Sequence, residues 1–174
     1  INVPPGNIHV PYGHAESVIE FCAWYEQQIL QAGGIDLQIL GIGGDGHIAF
    51  NEPGSSLGSR TRLKTLTEQT IKDNARFFSK ADEVPRFAIT MGVGTIMEAK
   101  RIIMLASGRS KAAIVAEAIE GPITSQVTAS ALQMHRDVVV IVDADAGSKL
   151  KRADYYRWVY DQKKSLAPHT IGHA

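Results

Sequence analysis

Cysteine is almost absent from this 174-residue chain: Cys22 stands alone, so no disulfide can form within it. That usage fits a reducing compartment, and we expect a cytoplasmic protein. Cys22 falls within an apolar helical pattern, where a small buried hydrophobe is the expected role. Net charge is absent as well, with 18 Lys and Arg against 18 Asp and Glu. Nothing in that balance points to a nucleic-acid or membrane-surface partner. No apolar run approaches the roughly 20 residues that a membrane-spanning helix needs, and no signal-peptide pattern is visible. Internal repeats and low-complexity segments are missing too. The chain starts at Ile1 with a Pro/Gly-rich connector, INVPPGNIHVP, and the expectation is that a preceding segment has been removed.

What is present reads as one α/β domain over residues 1–174. In AESVIEFCAWYEQQILQAGG, Val18, Cys22, Tyr25 and Ile29 recur at helical spacing, and Gly33-Gly34 closes the helix. IDLQIL reads as a buried strand. TRLKTLT alternates, with Arg62 and Lys64 on one face and Leu63 and Thr65 on the other. Thr67 is a candidate N-cap for a helix reaching about Phe78. FAITM is a strand, and Thr95 a candidate cap for a short helix over TIMEA. RIIMLA is a second buried strand, followed by SKAAIVAEAIEG, a helix whose N-cap we assign to Ser110. TASALQM reads as helical, VVVIVD as the fifth strand, SKLKRADYYRWVYDQ as the last helix, and residues 165–174 as a loose tail. Strands separated by helices predict a mostly parallel, Rossmann-like sheet with helices on both faces.

The stretch that organises the rest is GIGGDGHIAFNEP, residues 41–53. It follows a predicted strand, and in open α/β sheets ligands collect at the carboxyl ends of strands. Gly41, Gly43 and Gly46 spell G-x-G-x-x-G, but no helix opens at the last glycine. The region some 20 residues on, near Lys64, is basic where a dinucleotide site needs an acid. Neither that reading nor a P-loop, which needs Gly-Lys-Ser/Thr, is supported. Asp45, His47 and Glu52 are the chemistry-bearing residues. An imidazole titrates near neutrality and can both give and take a proton, and carboxylates beside it fix which nitrogen faces a substrate. The same three residues could hold a metal, although their spacing matches no strong ligand pattern. Lys111, at the start of a helix, suits an anion, because free N–H groups and the helix dipole act there too. Arg76, at a helix end, reads by position as a partner for the helix dipole.

Taken together, GIGGDGHIAFNEP, SRTRLKTLT, ARFF, ITMGVGTIMEA, SGRSKA and IEGPITS resemble the glucosamine-6-phosphate deaminase (isomerase) family, from near Ile1 to about Leu150. The resemblance implies a Rossmann-like fold lacking its N-terminal strands. It implies conversion of glucosamine 6-phosphate and water to fructose 6-phosphate and ammonia, with no metal and no organic cofactor. His47 would open the sugar ring with Asp45 and Glu52 in support. Gly41, Arg76 and Lys111 would contact the substrate, the two cations at its phosphate. Ser55, Arg62, Lys64 and Thr65 match an effector site for N-acetylglucosamine 6-phosphate between subunits of a homo-oligomer, a hexamer in regulated members. The family's Gly-Thr-rich phosphate loop and the aspartate that removes the C2 proton have no match here. Its effector-site tyrosine could be either Tyr155 or Tyr156. The 6-phosphogluconolactonases share the fold and a related Gly-Asp-Gly-His loop that continues differently, without Glu52. A sugar-phosphate-binding chain without turnover is the other alternative.

Overall fold

The computed structural model describes residues 2–170. Five strands form, β1 (Leu37–Leu40), β2 (Arg62–Thr65), β3 (Phe87–Thr90), β4 (Arg101–Ala106) and β5 (Val138–Val142). Five α-helices accompany them, α1 (Val18–Gln31), α2 (Glu68–Asn74), α3 (Val93–Met97), α4 (Ala112–Glu120) and α5 (Ala153–Thr170). The main sheet is wholly parallel, in the order β1-β4-β5, with Leu37 opposite Arg101 and Ile102 opposite Val138. The strands β2 and β3 leave that sheet and pair with each other as an antiparallel ribbon, Arg62 opposite Thr90.

Burial follows the alternation along each strand. Leu40, Ile102, Met104 and Ala106 point to one side of the sheet. There they meet Val93 and Ile96 of α3, Ile114, Val115 and Ala118 of α4, and the 3-10 turn Thr128–Met134. This is the core. On the other side Leu37, Ile39, Leu105, Val139 and Ile141 are exposed, although IDLQIL and RIIMLA read as buried strands. Among the described residues, then, this side of the sheet is the less covered of the two. The total accessible surface is 11611 Å². A folded 18.9 kDa monomer is expected to show about 8,300 Å², so the chain exposes roughly 3,000 Å² more than usual.

Local signals held in part. Val18, Cys22, Tyr25 and Ile29 do form the inward side of α1, and Gly33 and Gly34 end it at φ +89° and +87°. Thr67 caps α2, its Oγ1 accepting from Thr70 N at 3.2 Å. Thr95 is not a cap: Gly92 holds that place at α3, and the Thr95 hydroxyl donates to Glu26 at 2.6 Å. Ser110 is not the cap of α4 either. A 3-10 turn over Arg109–Lys111 leads in, and Lys111 takes the N-cap position with no side-chain cap bond. TASALQM is 3-10 rather than α. The last helix opens at Ala153, where the Glu120 carboxylate accepts from Lys151 N and Arg152 N, both at 2.9 Å. It runs through Thr170, so residues 165–170 are helical backbone where a loose tail was expected, and 171–174 lie outside the described residues.

One carboxylate fastens α1 to the rest. Glu26 accepts from Thr61 N (2.8 Å), Thr61 Oγ1 (2.5 Å), Thr95 Oγ1 (2.6 Å) and Arg60 Nη2 (2.6 Å). Burial alone would push its carboxyl up. The hydrogen bonds from Thr61 and Thr95, with the Arg60 charge, outweigh that and hold it below the usual range.

Candidate active site

The chain leaves β1 at Gly41 and turns at once through Gly43–Gly46. A Cβ on Gly43 would overlap the His47 imidazole, so only glycine lets the backbone lie against that ring. Gly46 has φ +87°, with Val127 and Ile114 packed where a side chain would go. These two glycines seat His47 between the strand end and α4.

His47 Nδ1 lies 2.7 Å from Asp45 Oδ1 and 3.3 Å from Glu52 Oε2. Neither approach is aligned well enough for a hydrogen bond, and Nδ1 and Glu52 Oε2 are both buried without another partner among the described residues. Asp45 is fixed by its own turn, Oδ1 accepting from His47 N at 3.1 Å. Glu52 is only 2% exposed, and its Oε1 accepts from Thr67 N at 3.2 Å. Both carboxylates face one nitrogen. They favour the proton on Nδ1 and leave Nε2 to exchange protons with a substrate. The ligand atoms of the three residues lie within 4.8 Å of one another, close enough to ask whether they would hold a metal ion. Two ligands of a tetrahedral ion with bonds of about 2.0 Å sit about 3.3 Å apart, which the Glu52 contact matches and the 2.7 Å Asp45 contact is too short for.

His47 opens into a cavity of about 310 Å³ whose wall includes Gly43, Gly44, Lys111 and Arg76. Lys111 is half-buried and donates from Nζ to Ile42 O at 2.8 Å, tying the start of α4 to the glycine loop. Arg76 lies in the 3-10 turn Ala75–Phe77 that follows α2, its guanidinium 4.8 Å from the centre of the Phe77 ring. Neither cation has a carboxylate partner among the described residues. Asp45, His47, Glu52, Lys111 and Arg76, 66 positions apart at the extremes, are thus brought to one place. Gly41 is exposed at the end of β1, but Gly43 and Gly44 supply the cavity wall in its stead. Sequence reasoning missed Thr70, Asp73 and Asn74, which complete the wall from α2. The only available signal was their i, i+3, i+4 spacing on a helix ending near Arg76.

The candidate effector residues are less unified. Arg62 and Lys64 share the half-buried face of β2, and Thr65 points to the exposed one. Burial pulls the Arg62 guanidinium down from its ordinary value, and among the described residues it pairs with no carboxylate. Ser55 is 2% exposed with an unpartnered Oγ. Of the two tyrosines, Tyr156 is half-buried and bonded to Glu120, and Tyr155 is exposed.

The family described as glucosamine-6-phosphate isomerases/6-phosphogluconolactonase matches residues 1–141. The chain belongs to this family. Within it, the glucosamine-6-phosphate deaminase of Hahella chejuensis (strain KCTC 2396) is 57% identical over 162 residues, covering 93% of this chain and 62% of that protein. A solved structure of a monomeric glucosamine-6-phosphate deaminase superposes with a TM-score of 0.81 at 47% identity, covering 84% of this chain and 61% of the other. A 6-phosphogluconolactonase from Trypanosoma cruzi, at 23% identity and a TM-score of 0.58, shares the fold. The chain therefore spans a little under two-thirds of the length of the relatives it matches. No described helix is long and apolar enough to cross a membrane.

Proposed function

We propose that this chain serves as the ring-opening and phosphate-holding part of a glucosamine-6-phosphate deaminase. The observation that carries the reading is one cavity lined by His47, with its two carboxylates behind it, and by the two cations Lys111 and Arg76. The substrate phosphate sits at the cations. His47 Nε2 then faces the ring, where proton transfer to the ring oxygen and from the C1 hydroxyl breaks the C1–O5 bond and leaves an aldehyde. Asp45 and Glu52 steady the imidazolium while it holds the proton. A base then removes the C2 proton, C1 gains a proton so that C2 carries an imine, and water adds at C2 and expels ammonia, leaving the ketose. No metal or organic cofactor enters these steps.

On the same reading, N-acetylglucosamine 6-phosphate is the effector at Arg62, Lys64, Ser55 and Thr65, and the protein acts in the cytoplasm as a homo-oligomer, up to a hexamer. Arg62, which has no carboxylate partner among the described residues, and the unpartnered Ser55 Oγ support an anion site. The open sheet face supports association with further polypeptide.

Ring opening and reclosure interconvert the α and β anomers of glucosamine 6-phosphate, and NMR exchange spectroscopy reads that rate directly. The chain should accelerate it. Hydrolysis of 6-phosphogluconolactone without anomer exchange would favour a lactonase. Binding with neither activity would favour a non-catalytic sugar-phosphate binder.

A further inference from the structure

Between His47 and Glu52 the backbone does something an alanine rarely does. Ala49 has φ +51°, the one non-glycine residue in the left-handed region among those described. A conformation of that kind is unfavourable for alanine and persists only where its surroundings over-determine it. The turn it makes is what returns Glu52 to His47.

The surroundings converge on Asn51, whose side chain is fully buried. Its Nδ2 donates to Ile48 O at 3.0 Å and to Met91 O at 2.9 Å. Its Oδ1 accepts from Arg62 Nη1 at 2.9 Å. Two carbonyls at one end of the amide and a guanidinium at the other admit a single orientation. The main chain of the turn is held from the other side. Thr128 Oγ1 accepts from Ile48 N (3.3 Å) and donates to Asn51 O (2.9 Å), and Phe50 N donates to Thr90 Oγ1 at 3.1 Å. Asn51 therefore locks the turn to the ribbon at two points, the end of β3 and the Arg62 side chain of β2. Glu52, the next residue, inherits its position.

We infer that Asn51, anchored by Arg62, is a positioning residue that sets Glu52 against His47 Nδ1 for proton transfer. This rests on the reading of His47 as the ring-opening group. Asn51 is not among the residues that line the cavity, so it acts through the turn and not on the substrate. Its amide is also not replaceable by an acid of the same shape, since a carboxylate would turn an oxygen toward two carbonyl oxygens.

The test uses two complementary variants of the 174-residue chain. Asn51→Asp removes the carbonyl bonds and keeps the guanidinium partner. Arg62→Met does the reverse, and it keeps the turn's own bonds should the first variant fail to fold. Anomer exchange of glucosamine 6-phosphate is measured across concentrations. Imidazole NMR of His47 follows its tautomer and titration curve against the surrounding Asp45, Glu52, Asp73, Lys111 and Arg76, and thermal melting is run alongside. The maximal exchange rate should fall by about 100-fold for Asn51→Asp and about 10-fold for Arg62→Met, the scale of a misplaced reacting group. The half-saturating concentration should stay within about threefold, because Lys111 and Arg76 are untouched. The His47 signals should move in both variants. Folded variants with unchanged maximal rate and unchanged His47 signals would make Asn51 a structural residue only and overturn the inference. If the unaltered chain never accelerates exchange, the functional reading fails by itself. The His47 signals of Arg62→Met then decide the positioning claim: movement upholds it, and no movement removes it.

Discussion

Replacing His47 by glutamine tests the centre of the site with little change of volume. The ring leaves behind the space above Gly43, and the amide can still reach Asp45 across the 2.7 Å contact. What it loses is the proton. Glutamine does not titrate, so Asp45 and the buried Glu52 face a neutral group and nothing carries charge between them and the substrate. General acid–base catalysis of this kind is worth about 10²–10⁴ in rate, which at 1.36 kcal/mol per decade is about 3–5 kcal/mol of barrier. Glu52 is 2% exposed and loses its neighbour, a separate cost to folding stability, so melting must be measured alongside. The assay is anomer exchange of glucosamine 6-phosphate at saturation, with binding of fructose 6-phosphate as a check on the phosphate site. Exchange should fall by two to four decades and binding should hold within a few-fold. In a complete deaminase, turnover of a substrate supplied already ring-opened should suffer far less. Equal losses on closed and open substrates would refute the ring-opening role, and an unchanged exchange rate would remove His47 from the chemistry altogether.

Other perturbations separate the remaining parts. Lys111→Ala should weaken sugar-phosphate binding by about 10-fold or more, and Lys111→Arg should restore it incompletely, since a planar fork cannot replace the point charge that also bonds Ile42 O. Calorimetric titration with fructose 6-phosphate reads both. Replacing Arg62 and Lys64 together should abolish any response to N-acetylglucosamine 6-phosphate, and an undiminished response would place the effector elsewhere. Glu26→Gln should cost about 2–4 kcal/mol, because one amide cannot serve four donors including Arg60, and melting should fall by roughly 5–15 °C. The folded Glu26 carboxyl is held below its unfolded value, so its contribution is complete above the ordinary carboxylate range and is lost as pH falls through the folded value. The gap between parent and variant should therefore close on acidification, and a gap independent of pH would contradict the assignment.

Much of the site was legible because it is local. Three ionisable residues within eight positions after a strand, with glycines between, need no partner to be recognised, and Lys111 announces itself at the start of a periodic helix. What could not be read depends on pairing across the chain. Asn51 looks like one more polar turn residue until Met91 and Arg62, 40 and 11 positions away, arrive around it. Glu26 sits on the polar side of an amphipathic pattern, and its donors lie 34 to 69 residues further on. The alternation of TRLKTLT fits a parallel or an antiparallel neighbour equally, and only the partner FAIT decides that β2 leaves the main sheet. The strands read as buried on both faces because their composition is apolar on both. The open face is a property of what lies beside them, which composition cannot report.

That open face bears on what the 174-residue chain does by itself. Removing the C2 proton requires a base within hydrogen-bond reach of that carbon. Of the carboxylates at the cavity, Asp45 and Glu52 are committed to His47, and Asp73 is exposed at the rim with its Oδ1 accepting from Gln69 at 2.7 Å. Asp143, further along the strand ends, is bonded to the N–H groups of Ala146 and Gly108 and held below the usual carboxylate range. Of these, Asp73 alone is exposed with an oxygen that has no partner among the described residues, and it stands at the rim across the cavity wall from His47. We therefore expect the chain alone to exchange anomers and to release ammonia at less than about 1% of the rate of a full-length relative, a loss of at least two decades for a missing general base. Leu37, Ile39, Leu105, Val139 and Ile141, all exposed on one face, should also drive self-association, visible as a concentration-dependent sedimentation coefficient. Adding the segment of the deaminase relatives that this chain does not match should suppress that association and raise ammonia release together. Asp73→Asn provides the control. If the unaltered chain turns over robustly and Asp73→Asn abolishes it, the base lies on α2 and this chain carries the deamination step as well as ring opening.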